Sequence, residues 1–507
     1  MTRKSLLLIS FIIAKFVLQY VLVNPVYELH RDEFLHLDQG KHLAWGFLSV
    51  PPVTSWISYF INLFGNSIFL IRFFPALFGS LTIIVVWKAI EELKGNVFAL
   101  VLGATSVLFS ALLRLNILYQ PNSLDVLCWT TVCFILIKYC NSQINKWLYF
   151  GMTVLALGFL NKYNIVFLIA GLFPAFLLTR QSVFKNKHFY LSILLFLILI
   201  LPNLIWQYNN HFPVYHHMRE LAKTQLVYVK RWDFIKDQLY YFIGSLFVIF
   251  SGLYSLVFYP PFKKYRIFFF TFWITLTVFI WLRGKSYYAM GLYPIYIAFG
   301  AVYLERLINT DWKKYLQPIV VLIPVLFFFP MYQLMFPNKS PEYILNHSGL
   351  YEKYGLLRWE DGKNHALPQD YADMLGWKEL AQKTDSIYSR LASQGQTLIL
   401  CDNYGQAGAI NYYSKNNSIG AVSFNADYIN WFQLDKKYVN LIRIKTFEKV
   451  SKELETTSPY FEKSYISGNV TNILAREFGT TIFVFENANV DIKQRIKNEI
   501  ALVKNSP

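Results

Sequence analysis

Long apolar runs separated by short polar turns fill the first two thirds of the chain, and the last third has none. A helix needs roughly 20 apolar residues to cross a bilayer, and fewer where neighbours thin it. Runs of that kind lie at about 5–23, 68–88, 97–113, 121–139, 147–161, 163–179, 189–206, 238–258, 267–282, 288–305 and 316–334. The pattern predicts a polytopic α-helical membrane protein with about eleven transmembrane helices over 1–335, followed by a soluble domain over 336–507. In that tail, Thr397–Cys401, Ala421–Phe424, Tyr438–Ile444 and Thr481–Phe485 read as strands. Asp402-Asn403-Tyr404 turns into a helix ending near Tyr413, and Glu448–Glu455 reads as another helix. Strands alternating with helices predict a small α/β domain.

Charge gives these segments a direction. The connections carrying Arg3/Lys4, Lys88/Lys94, Lys138/Lys146, Arg180/Lys185/Lys187, Lys263/Lys264/Arg266 and Lys313/Lys314 alternate with the others. Positive loops stay cytoplasmic. With the N-terminus cytoplasmic and an odd number of spans, the tail falls on the periplasmic side of the inner membrane. The loops 24–67, 114–120, 207–237 and 283–287 fall there too. Within the first of them, Glu33–Phe47 has helical rather than spanning character and is expected to lie in the membrane interface. Pro51-Pro52 would end that segment.

Composition agrees. Charged residues make up 16% of the 507 and hydrophobic residues 55%, against about 25% charged in soluble proteins. A net charge of +17 would suggest nucleic acid in a soluble protein. Here the cations mark topology, and nucleic acid is not an expected partner. Four cysteines with no C-x-x-C spacing predict neither disulfides nor structural zinc.

The periplasmic loops carry the chemistry. Asp32-Glu33 stands a few residues past the first span. Adjacent carboxylates there can supply a general base that takes an acceptor's proton, or can simply favour the N-terminus of an interfacial helix. Lys285, with Arg283 beside it, and Lys162 between two short spans suit a phosphate leaving group; snorkelling is the bland alternative for Lys162. Tyr288 could line a sugar, or belong with Tyr287 and Tyr293 to an aromatic belt. His216 and Arg219 place basic groups in the 207–237 loop against the positive-inside trend, where an anionic lipid head group is the natural partner. Asp38 pairs at helical spacing with Lys41 and His42, which reads as structure. His30, His36 and His42 share no helical face, so no metal site is expected. Gly405-Gln406-Ala407-Gly408-Ala409 lacks a nucleotide-binding pattern.

Taken in order, several short motifs resemble one family. Asp32-Glu33 follows a single first helix, then come Trp45-Gly46, Pro51-Pro52, Leu70–Leu77, Gln120-Pro121-Asn122 with Asp125, and Leu160-Asn161-Lys162-Tyr163. Leu201–Gln207, Lys285-Ser286-Tyr287-Tyr288, Tyr293-Pro294 and Asp402–Ile410 complete the set. The chain resembles the bacterial branch of GT-C glycosyltransferases of the protein mannosyltransferase and aminoarabinose transferase type (glycosyltransferase family 39). That resemblance implies a sugar donor on a polyprenyl phosphate and inverting transfer on the periplasmic face. It also implies a glycan, lipid or protein acceptor and no nucleotide cofactor; nothing in it argues for a divalent metal. Asp32 would be the catalytic base and Glu33 its neighbour in the acidic motif. Two positions depart from the pattern. Relatives that modify lipid A carry Lys before the paired prolines, where this chain has Val50. Many carry Asp directly after the third loop's proline, where this chain has Asn122; Asp125 is the nearby carboxylate.

A transporter or flippase for a lipid-linked saccharide is the alternative from a different class. Such proteins place charged sites near the midplane of repeated halves. No related halves stand out here, and the charges cluster in the outer loops.

Overall fold

The structure, a computed structural model, describes residues 2–505 apart from Asn417 and Ser451. Every one of the eleven predicted apolar runs is helical over most of its length. Among the described residues, six helices are long and apolar enough to cross a membrane, or up to eight if each of two bent pairs is one span. The bent pairs are Arg231–Tyr240 with Ile243–Phe258 and Ser286–Leu292 with Pro294–Ile308. Val97–Leu108 and Tyr163–Thr179 are shorter apolar helices. The protein is a polytopic membrane protein with a small soluble sheet domain.

The chain forms two compact units. The first comprises residues 1–23, 50–54 and 67–338 and holds all the spans. Its helices pack through small residues rather than through water exclusion, as expected where lipid is the solvent. A Cβ added at Gly300 would stand 1.8 Å from the Val248 carbonyl oxygen, and one at Gly252 would stand 2.3 Å from that of Tyr296. Helices Leu246–Phe258 and Pro294–Ile308 therefore touch backbone to backbone.

The second unit comprises 24–49, 55–66 and 339–507. Its boundary is not the simple division at 335: most of the loop 24–67 folds with the C-terminal domain. The sheet has the order β2-β1-β3-β5-β4. Strand β1 (Gln396–Cys401) lies parallel between β2 (Ala421–Ser423) and β3 (Tyr438–Lys445). Strand β4 (Phe461–Asn469) pairs with β5 (Thr481–Ala488) antiparallel, and β5 with β3 likewise. Four of these strands match the predicted positions. β4 escapes prediction because it is a largely solvated edge strand, Phe-Glu-Lys-Ser-Tyr-Ile-Ser-Gly-Asn, with no apolar run. One core joins Leu398, Leu400, Val422, Phe483 and Phe485 to Ile492 and Ile496 of the last helix. In place of one helix over 448–455, a 3₁₀ turn at Phe447–Lys449 precedes a helix at Glu453–Thr457.

Two expectations for the first loop are corrected. Helix Arg31–Gln39 does not lie on a lipid surface, since every residue from Glu33 to Gln39 is buried in protein. Its length stops at Gln39, short of Phe47. Pro51-Pro52 opens the next helix, Val53–Leu63, instead of closing the previous segment. Proline suits that place because a helix's first N–H groups have no internal partner.

Candidate active site

The second unit builds a carboxylate centre at the start of helix Arg31–Gln39. His30 is the N-cap: its Nδ1 accepts from the Asp32 backbone N–H at 3.2 Å, while the Glu33 carboxylate accepts from the His30 N–H at 2.7 Å. Such a reciprocal box satisfies two donors that every helix start leaves open. Glu33 is thereby a fully buried capping residue. Its geometry gives it a structural part, not the catalytic one suggested by its place beside Asp32.

Asp32 points elsewhere, and its side chain keeps 35% of its exposure. The Tyr404 hydroxyl, at the start of helix Tyr404–Tyr413, donates to Asp32 Oδ1 at 2.7 Å. His30 Nδ1 stands 3.8 Å from Asp32 Oδ2. Burial works against the charge on Asp32, but the His30 ring, the Arg31 guanidinium and the Tyr404 hydroxyl outweigh it and hold the carboxyl at about 2. The carboxylate is ionised throughout the physiological range.

His30 is held from its other side as well. Its Nε2 lies 3.6 Å from Asp373 and 3.9 Å from Asp370, and Arg476 contacts Asp373 at 3.1 Å. Burial opposes a charge on the ring, yet Asp32, Asp373 and Asp370 together raise it to about 9. While Nδ1 accepts the Asp32 N–H, the ring's proton sits on Nε2. Below about pH 9 the ring is doubly protonated; Nδ1–H then faces the Asp32 carboxylate in place of the Asp32 N–H, and the Glu33 half of the box remains.

The first unit builds a lysine centre. Lys162 lies between helices Lys146–Asn161 and Val166–Thr179. Its Nζ donates to Asn122 Oδ1 at 2.6 Å and stands 4.3 Å from the centre of the Tyr288 ring and 5.2 Å from that of Tyr287. Asn164 ties the loops together by donating to the Tyr288 carbonyl at 2.9 Å and to Asp125 at 2.8 Å. Asp125 is buried and also accepts from Trp129 Nε1 at 3.0 Å, so each of its oxygens has a partner in this corner. Lys285 is close enough to Lys162 for the two cations to repel. The Ser286 hydroxyl next to it donates to Asp237 at 2.6 Å, and the Ser286 carbonyl accepts from Gln238 at 2.9 Å, which fixes the 283–292 turn. The Asp125 carboxylate also pulls on Lys162, more strongly than Lys285 repels it, so the lysine centre holds two cations and one buried anion. Here Asn122 matters: a carboxylate in its place would add a second anion beside Lys162.

The remaining predicted residues stay outside these centres. Arg283 is exposed in a left-handed turn with φ 53°. His216 and Arg219 are exposed on helix Pro213–Thr224. Sequence reasoning missed His30, Tyr404, Asp373, Asn122 and Asn164 as members of the two centres. Among the described residues, no group of three or more His, Cys, Asp or Glu is arranged to hold a metal ion. All four cysteines are buried and unpaired.

The chain is similar to known proteins in sequence over part of its length and in fold over more of it. Residues 49–206 match the family model described as dolichyl-phosphate-mannose-protein mannosyltransferase. The lipid A galacturonosyltransferase RgtD of Rhizobium johnstonii is 24% identical over 197 residues, which is 38% of this chain and 41% of that protein. The match therefore spans less than half the length of this curated relative. ArnT from Cupriavidus metallidurans, in a crystal structure bound to undecaprenyl phosphate, superposes with a TM-score of 0.59 at 13% identity. That superposition covers 96% of this chain and 98% of ArnT. The apo oligosaccharyltransferase of Archaeoglobus fulgidus superposes with a TM-score of 0.51 at 11% identity, covering 81% of this chain and 64% of that one. Along nearly its whole length the chain thus has the fold of ArnT, and over residues 49–206 it is similar to the mannosyltransferase family.

Proposed function

We propose that the protein is an inverting glycosyltransferase moving a sugar from a polyprenyl-phosphate donor to a hydroxyl of a cell-envelope acceptor, which is a glycan, a lipid or a protein. The reaction takes place on the periplasmic face of the inner membrane, following the loop charges. The observation carrying this reading is Asp32, an ionised carboxylate that remains part-exposed at a helix start. The acceptor oxygen attacks the anomeric carbon from behind, the bond from that carbon to the phosphate oxygen breaks, and its electron pair leaves with the phosphate. Asp32 receives the acceptor's proton. A carboxylate with a pKa near 2 is a weak base, so it does not ionise the hydroxyl beforehand. It takes the proton as the new bond forms and the hydroxyl becomes strongly acidic. In this scheme Lys162 and Lys285 balance the charge that grows on the leaving phosphate, and no nucleotide or divalent metal is required. Binding of undecaprenyl phosphate by ArnT supports a lipid-linked donor.

The deciding experiment incubates purified protein with a synthetic polyprenyl phosphate carrying a radiolabelled sugar and with cell-envelope acceptors. Label should pass to an acceptor fraction. Movement of intact donor across vesicles, with no transfer, would instead make the protein a carrier. Mass spectrometry of envelope glycans from a deletion strain then identifies the sugar and acceptor.

A further inference from the structure

We infer that Tyr404 is the positioning residue of the proposed base: its hydroxyl fixes the orientation of the Asp32 carboxylate and makes the C-terminal domain part of the catalytic apparatus. This rests on the reading of Asp32 given above. The hydroxyl donates to Asp32 Oδ1 at 2.7 Å across 372 residues of sequence. A hydrogen bond to an ionised acceptor is among the stronger ones available to a side chain.

Tyr404 is itself firmly placed. It opens a helix at the carboxyl end of β1, between the two strands parallel to β1, where an open α/β sheet leaves a crevice. Asn403 and Gln406 form a capping box there. Glu477 secures that box, accepting from Asn403 at 3.1 Å and from Gln406 at 2.6 Å. The Arg31 guanidinium lies 4.5 Å from the centre of the Tyr404 ring. Further along the helix, Gly408 packs so closely that a Cβ would stand 2.6 Å from Phe34 Cβ and 2.6 Å from the Tyr428 hydroxyl. The two helices are thus held in register by contacts independent of Asp32.

A second carboxylate on the same helix supplies the contrast. Asp38 accepts from the Tyr428 hydroxyl at 2.7 Å, from Asn411 at 2.8 Å and from Lys41 at 2.8 Å, and its side chain is only 5% exposed. That carboxylate is enclosed by fold contacts. Asp32 has the same tyrosine bond but keeps an exposed side. The charged and titratable groups acting on Asp32 include His30, Arg31 and His36 from its own segment and Tyr404 from the facing helix. Asp373, Asp370 and Arg476 act on it through His30 and Arg31.

The test compares Tyr404→Phe with Tyr428→Phe in the full-length protein, each keeping its ring. Carbodiimide captures only the protonated carboxyl, so peptide mapping of Asp32 labelling at pH 5 reports its proton affinity without any substrate. Loss of the Tyr404 bond should raise the Asp32 labelling rate about tenfold, whereas Tyr428→Phe leaves it unchanged. Transfer assays should show kcat lowered about 10- to 100-fold in Tyr404→Phe, with KM for the donor within about twofold of wild type. Wild-type labelling of Asp32 in Tyr404→Phe overturns the inference. So does an equal rise in both variants, which would mean a general loosening of the fold. Raised labelling with wild-type kcat overturns the role in transfer. If the wild-type protein transfers no sugar, the function reading fails by itself, and labelling still decides whether Tyr404 orders Asp32.

Discussion

The carboxylate centre and the lysine centre solve opposite electrostatic problems with opposite kinds of contact. Around Asp32, cations and a hydroxyl gather to keep an anion charged in a partly buried place. Around Lys162, an amide, two tyrosine faces and the nearby buried Asp125 carboxylate hold a cation, and a second cation, Lys285, is kept near. The first arrangement keeps charged the group that would accept a proton in the proposed reaction; the second gathers two cations that would meet its leaving phosphate. The hydroxyl partner of Asp32, Tyr404, comes from 372 residues away, while its cationic partners His30 and Arg31 are its chain neighbours. The lysine partners come from loops as near as 40 residues along the chain, such as Asn122.

The comparison is broken most severely by removing Asp32. Asp32→Asn keeps the shape and should lower transfer by roughly 10²- to 10⁴-fold in initial-rate assays, with the protein still inserted and folded. Near-normal rates would remove Asp32 from the mechanism. Lys162→Met should reduce kcat/KM for the donor by about 10²-fold. Since Lys285 would serve the same phosphate, adding Lys285→Met should cost less than the product of the two single effects; fully independent effects would separate the lysines.

Glu33 sharpens the distinction between chemistry and capping. Glu33→Gln preserves the box and should leave kcat within about twofold. Glu33→Ala should cost about 1 kcal/mol of stability, read as a lowered melting temperature in detergent. A large loss of kcat in the glutamine variant would restore a catalytic part to Glu33.

A smaller effect concerns Asp427, which accepts from the Gln39 side chain and the Leu48 N–H, each at 2.8 Å. Burial raises it to about 6, more than its hydrogen bonds lower it. Its folded-state value lies above the roughly 4 of an unfolded chain, so its contribution to stability is complete below about pH 4 and is lost as pH rises through about 6. Asp427→Asn should flatten the change in melting temperature between pH 4 and 7; an unaltered slope would assign that change to other groups. The smallest change is expected at His216 and Arg219, where alanine should alter transfer by less than about threefold at physiological salt, screening being strongest for exposed charges.

Much of this protein was legible because its strongest signals are local. Apolar runs near 20 residues specify membrane helices through the bilayer alone, and Thr481–Phe485 shows its strand by its own side chains. Lys162 was legible too, as a cation isolated between apolar stretches. What sequence could not show is that Asp125 bonds Trp129 and Asn164 and lies close enough to Lys162 to act on its charge. β4 was invisible because an edge strand needs no apolar run. Asp32 and Glu33 looked equivalent as neighbours, although a helix start separates them by about 100° of rotation.

The sequence by itself therefore determined the membrane character of residues 1–335, most strands of the soluble domain and the residue types able to carry the chemistry. Each follows from side-chain free energies of transfer or from one-residue alternation, which do not depend on distant segments. Only the tertiary structure decided that residues 24–49 fold with the C-terminal domain, that Glu33 caps while Asp32 stays accessible, and that Tyr404 meets Asp32. Those outcomes depend on the packing of segments hundreds of residues apart, where the small side of Gly408 and the caps at His30 and Asn403 select one register of two helices.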